Sequence, residues 1–137
     1  MAYCLMCLTS GTLLAQDKAI KCSGFQDTLL HKFVYRDVDQ FPEVEGGMER
    51  LYGKITKSIK CPPGEIYYST KLQVAFVIER NGKIDGKRTI TDPSGNKQIF
   101  SKQVFNIIEH LKWQPGRCNK KAVPVIYILP VNIDFEE

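Results

Sequence analysis

The 137 residues predict an α+β domain with two helices packed on one face of a small antiparallel three-stranded sheet, in the order helix, strand, strand, helix, strand. Three observations carry that prediction. Two stretches repeat apolar residues at helical spacing, Met48, Leu51, Ile55 and Ile59 first, then Val104, Ile107, Ile108 and Leu111. Between them an alternating run turns at Asn81-Gly82, the strongest short-range sign of a hairpin. After the second helical stretch, Trp-Gln-Pro-Gly redirects the chain into an apolar strand with a proline near each end.

The elements follow in order. Residues 1–16, MAYCLMCLTSGTLLAQ, carry no charge and give way abruptly to DKAIKC. This reads as the apolar region and cleavage zone of a signal peptide, although no basic segment precedes it. It is shorter than the roughly 20 residues a spanning helix needs. A buried amino-terminal strand or helix is the alternative. Residues 17–40 form an amino-terminal extension whose KFVYRDV could lie extended against the domain proper, residues 41–137. FPEVEGG blocks regular structure before Met48, and Pro62-Pro63 stops the first helix.

In TKLQVAFVIERNGKIDGKRTITD, a two-residue turn would set Leu72, Val74, Phe76 and Ile78 opposite polar residues. A three-residue loop, Arg80 to Gly82, instead faces Ile78 with Ile84 and Leu72 with Ile90, with Gly82 in the left-handed bulge position. PSGN is a further turn, and the second helix runs to about Lys112, with Phe105 and Trp113 over the same core. The last strand covers residues 123–133.

Composition narrows the function. A 43% hydrophobic chain of this length supports one core. The formal charge is +4, but the basic residues are scattered among 15 acidic ones, unlike the dense stripe of a nucleic-acid binder. No spacing joins His31, His110, Asp85, Asp92 or Glu109 to a nucleophile, no glycine-rich phosphate loop follows a strand, and no ligand set fits zinc. A Cys118–His110 pair is the one thiol arrangement conceivable. The expectation is therefore no enzyme, no cofactor and no metal. Cys4 and Cys7 lie in the apolar leader, which leaves Cys22, Cys61 and Cys118 and allows one bridge. Cys61 and Cys118, at the ends of predicted helices, are the favoured disulfide pair, with free buried thiols as the alternative.

FPEVEGGMERL, SIKCPP, LQVAFVIERNGKI and VFNIIEHLKWQPGRCNKKAVPVIYILPVNI, in this order, resemble the TonB C-terminal domain family, particularly its Bacteroidetes-type versions, over residues 41 to 133. Glu43, Val44 and Glu45 separate Pro42 from the glycines, Cys61 stands where Tyr is usual, and DPSGNKQIFSK replaces a more acidic segment. These departures touch loops and leave ligand preference open. The resemblance implies a periplasmic module of the Gram-negative cell envelope that docks a segment of a TonB-dependent outer-membrane receptor in energy-coupled transport. Full transducers of this type carry an inner-membrane helix and a proline-rich spacer ahead of the domain. A chain without them would bind but not pull, and force would come from inner-membrane proton-motive-force motor proteins through a separate anchor.

The proline-flanked strand fits such docking. A residue's N–H and C=O point to one side of a strand, and the side alternates with each step. Pro124 and Pro130 share parity, so the other edge keeps every donor for the hairpin. The outer edge keeps donors at Ile126 and Ile128 between proline stops. A short open ladder of this kind accepts one extended segment while resisting sheet-to-sheet aggregation. Purely protective prolines are the alternative, in an exported accessory or structural domain without receptor binding. Lys120 and Lys121 would attract acidic partner residues, or simply form a solvated turn.

Overall fold

In the computed structural model, which describes residues 21–67 and 70–133, both helices form where the apolar spacing places them. Helix α1, Gly47–Ser58, buries Leu51 and Ile55. Helix α2, Ile99–Glu109, buries Phe100, Val104 and Ile108 and starts earlier than its apolar repeat suggests. Its first amides are held by the preceding turn. Asp92 Oδ2 accepts from Ser101 N–H at 2.8 Å and from Ser101 Oγ–H at 2.7 Å, and Ser94 Oγ accepts from Ile99 N–H at 2.8 Å. A serine and an aspartate outside the helix thus do the work of an N-cap.

Before α1 come strands β1, Ser23–Asp27, β2, Lys32–Asp37, and the short β3, Glu43–Val44. After it follow β4, Lys71–Ile78, and β5, Ile84–Thr91. Beyond α2 lie β6, Trp113–Gln114, β7, Gly116–Cys118, β8, Lys121–Val123, and β9, Val125–Asn132. The α+β class and the two helices on one face agree with the sequence reading, but the sheet does not. It has five strands in the order β1-β2-β9-β4-β5, with β2 parallel to β9, whereas three antiparallel strands were expected. The extra strands come from the amino-terminal stretch, where KFVYRDV is extended as anticipated but joins the sheet. Two small pairs, β3 with β6 and β7 with β8, complete the topology. The expected single strand over 123–133 is divided at Pro124, which has no amide to continue a ladder.

The hairpin turns as read from the sequence. Ile78 faces Ile84, Glu79 N–H donates to Lys83 O at 2.8 Å, and Gly82 sits at φ +84. A Cβ there would also lie 2.4 Å from Trp113 O, so glycine is required twice over. Further along, irregularities shift the register, so that Gln73 faces Thr91 and Leu72 no longer faces Ile90. Ile90 is left half exposed.

Leu72, Val74, Phe76 and Ile78 of β4, with Leu129 and Val131 of β9, meet both helices in one core. Each such side chain contributes about 1.5 to 3 kcal/mol. Ala75 and Val77 point to the other face and are buried too. The tip of the β1–β2 hairpin reaches across that face: Arg88, opposite Ala75, binds Asp27 at 2.6 and 3.0 Å, and a Cβ on Gly86 would meet Leu30 Cδ1 at 3.0 Å.

The favoured disulfide is also corrected. Cys22, not Cys61, bonds Cys118, and Cys61 is free and exposed. The end of α1 is drawn toward α2, where Lys60 N–H donates to Gln103 at 2.8 Å. Cys118 is carried the other way, since neighbouring Arg117 exchanges backbone bonds with Gln40 and thereby meets the amino-terminal strands.

Candidate functional site

The β9 edge facing away from β4 is the candidate site. Along its other side β9 matches β4 without interruption, from Val125 opposite Ile78 to Asn132 opposite Lys71. The parity read from the two prolines holds. Pro124 O accepts from Tyr35 N–H at 2.9 Å, and Pro130 O accepts from the Tyr52 hydroxyl at 3.0 Å, both from elements other than β4.

The strand is not outermost, however, which corrects the expectation on which Pro124 and Ile126 were chosen. Tyr35 of β2 pairs in parallel with Val125. With Tyr35 N–H on Pro124 O, a parallel pairing in this phase directs the Ile126 amide at the Tyr35 carbonyl. Pro124 is buried, and the Ile126 donor faces the protein's own chain. Pairing stops there, because Asp37 and Tyr127 do not continue it. From Ile128 onward no described strand pairs with the edge, though Tyr52 takes the Pro130 carbonyl: Ile128 is 44% exposed, and Pro130 and Asn132 are exposed with it.

The open section has a defined surround. Tyr52 of α1, Gln73, Thr91, Pro130 and Asn132 line a groove at this end of the sheet. Burial pushes the Tyr52 phenol up, and burial with the neighbouring Tyr52 does the same to Tyr127. Both keep their protons at neutral pH, so Tyr52 can donate to Pro130 O while Tyr127 donates to Met48 Sδ at 3.4 Å.

Lys120 and Lys121 lie elsewhere. They are exposed on the β7–β8 turn, which Asn119 at φ 50 and Lys120 at φ 70 close and Arg117 pins through Lys120 O at 3.2 Å. That turn lies on the far side of Pro124 from Ile128. Of the expected site residues, the structure brings Ile128 and Pro130 together on an open edge, and leaves Pro124, Ile126 and the lysines outside it.

Tyr35 and Tyr52 are the residues the sequence reading missed, and Cys22 is the bridging cysteine it considered but did not favour. The alternation in KFVYRDV marks Tyr35 as a strand residue, but nothing local names its partner strand. The thiol alternative closes as well. The Cys118 sulfur is bonded to Cys22, and His110 Nδ1–H donates to Asn106 O at 2.6 Å. Among the described residues no cluster of three His, Cys, Asp or Glu could hold a metal, and no helix is long and apolar enough to cross a membrane. The segment read as a signal peptide, with Cys4 and Cys7, lies outside the described residues.

The comparison with known families bears on this edge. The sequence model of the family described as Gram-negative bacterial TonB protein C-terminal matches residues 68–136, the part that holds β4, β5, α2 and β9. No curated protein matches the chain.

Proposed function

The chain belongs to the TonB C-terminal family, and on that premise we propose that it is a periplasmic docking module whose β9 edge accepts an extended segment of a TonB-dependent outer-membrane receptor. Families of this kind are interaction modules rather than catalysts, and main-chain bonding to a sheet edge provides affinity without any reacting group. The observation that carries the reading is the open section of β9 from Ile128 to Asn132, with an outward donor at Ile128 and a proline stop beyond it. In energy-coupled transport the pull would come from inner-membrane proton-motive-force motor proteins acting through a separate anchor. Export to the periplasm, through residues 1–16 as signal peptide, belongs to the same proposal.

A second reading has one observation in its favour: β2 already covers the start of the edge, as in an accessory domain that keeps the fold without binding receptors. Titration with synthetic peptides from receptor amino termini separates the two. Amide shifts centred on Ile128 to Asn132, lost in Ile128→Pro while the fold persists, support docking. Silence across a broad peptide set supports the accessory domain.

A further inference from the structure

Strand β2 is held beside β9 in an unusual way. β4 matches β9 over its whole length, whereas β2 meets it at the single pairing of Tyr35 with Val125. The rest of the hold comes from elsewhere in the hairpin. At the tip, Asp27 binds Arg88, and Lys32 binds Glu79 at 2.6 and 2.7 Å. At the base, Cys22 is joined to Cys118. On the covered face, Val34 is fully buried. The family match begins only at residue 68, so β1 and β2 lie outside the matched stretch while β4, β5 and β9 lie within it.

We infer that β2 is an internal occupant of the docking edge, stapled in place by the Cys22–Cys118 bridge, and that an incoming extended segment replaces it in the same parallel sense once the bridge is opened. This rests on the docking function proposed above and deepens it. β2 shows what the edge takes: a parallel segment with a β-branched residue between two aromatic ones, as Val34 stands between Phe33 and Tyr35. It donates one amide to the Pro124 carbonyl and turns one carbonyl toward Ile126.

Opening the bridge is thiol–disulfide exchange with a dithiol reductant. One reductant thiolate attacks a cysteine sulfur, the Cys22–Cys118 bond breaks as a mixed disulfide forms, and the second reductant thiol resolves it. The chain gains two electrons and two protons, and the dithiol leaves as its own disulfide. Both cysteines are half-buried rather than sealed, which leaves a path for the attack.

The test uses the full chain, oxidised and after dithiothreitol, with the Cys22→Ser/Cys118→Ser double variant as a reductant-free equivalent. Exchange of the Ile126 amide should accelerate at least about tenfold when the bridge is open, while the Leu129 and Val74 amides keep their protection. Receptor amino-terminal peptides should bind the opened chain about tenfold more tightly, and Tyr35→Pro should raise affinity in the oxidised chain by removing the donor to Pro124. Unchanged exchange at Ile126 overturns the inference, as does loss of protection throughout the sheet, which would make the hairpin inseparable from the fold. Peptides that bind both forms equally leave the docking function standing and sink the internal occupant alone. Peptides that bind neither form overturn both.

Discussion

At the scale of single residues, Asp27 decides whether the hairpin tip stays down. Its carboxylate is almost fully buried, and two bonds from Arg88, with the Leu30 amide at 2.9 Å, hold its pKa below the ordinary 3.8 against the raising effect of burial. A depressed folded value means that the unfolded chain binds the proton first as pH falls. The stabilisation is therefore complete at neutral pH and is lost as pH drops below 3.8 toward the lowered value. Asp27→Asn should cost about 2 kcal/mol at pH 6, since Arg88 keeps some solvent to screen it. The gap between wild type and variant should narrow at pH 3, as read from urea midpoints. Cys61→Ser should change stability by less than about 0.5 kcal/mol, because the thiol is exposed and unbridged. Peptide mapping under non-reducing conditions should find Cys61 alkylated and Cys22 joined to Cys118.

At the scale of elements, the two halves of the β9 edge should respond differently to the same substitution. Ile126→Pro removes the donor facing Tyr35 and should loosen β2 without releasing it from its bridge, so amide exchange should rise at Tyr35 while the β4–β9 ladder keeps its protection. Ile128→Pro should leave β2 in place. Ile126→Pro loses about one hydrogen bond's worth of stability, roughly 1 kcal/mol, while Ile128→Pro removes an amide on the open edge and should cost less, since neither amide faces β4. These elements also show what the sequence could reveal. Leu51 and Ile55 on α1, or Val104 and Ile108 on α2, declare a buried face through spacing within a few residues. Gly82 likewise fixes the turn and the Ile78–Ile84 register from local backbone chemistry. The first of the two register shifts, between Val77 and Ala75, falls at Gly86, whose φ of +57 is held against Leu30, a residue far off in the chain. The β2–β9 pairing and the Cys22–Cys118 bond join residues some 90 positions apart. Periodicity cannot encode such contacts, and proline parity tells which edge of β9 is free of β4 but not what lies against it.

At the scale of the whole molecule, the hairpin of β1 and β2 is tied to a unit that has its own core. The core of α1, α2, β4 and β9 includes neither strand, while Val38, Val123 and Val125 form a separate small cluster beside the disulfide. A bridge closing a sequence separation of 96 residues would add about 4.7 kcal/mol if the molecule unfolded as one body, since all of that loop entropy belongs to the unfolded chain. If the hairpin can leave first, reduction mainly frees the hairpin, and the core loses less than that figure. Trp113 allows the two to be told apart, being the sole tryptophan, buried in the main core and bonded through Nε1–H to Ile108 O at 3.0 Å. In urea, the oxidised chain should show Trp113 fluorescence and hairpin amides changing together. After reduction, protection at Phe25 and Val34 should vanish at lower urea than the Trp113 transition, which should move by less than the full loop-entropy value. Coincident transitions in both states, with the tryptophan midpoint falling by the whole amount, would instead make the hairpin part of a single cooperative fold.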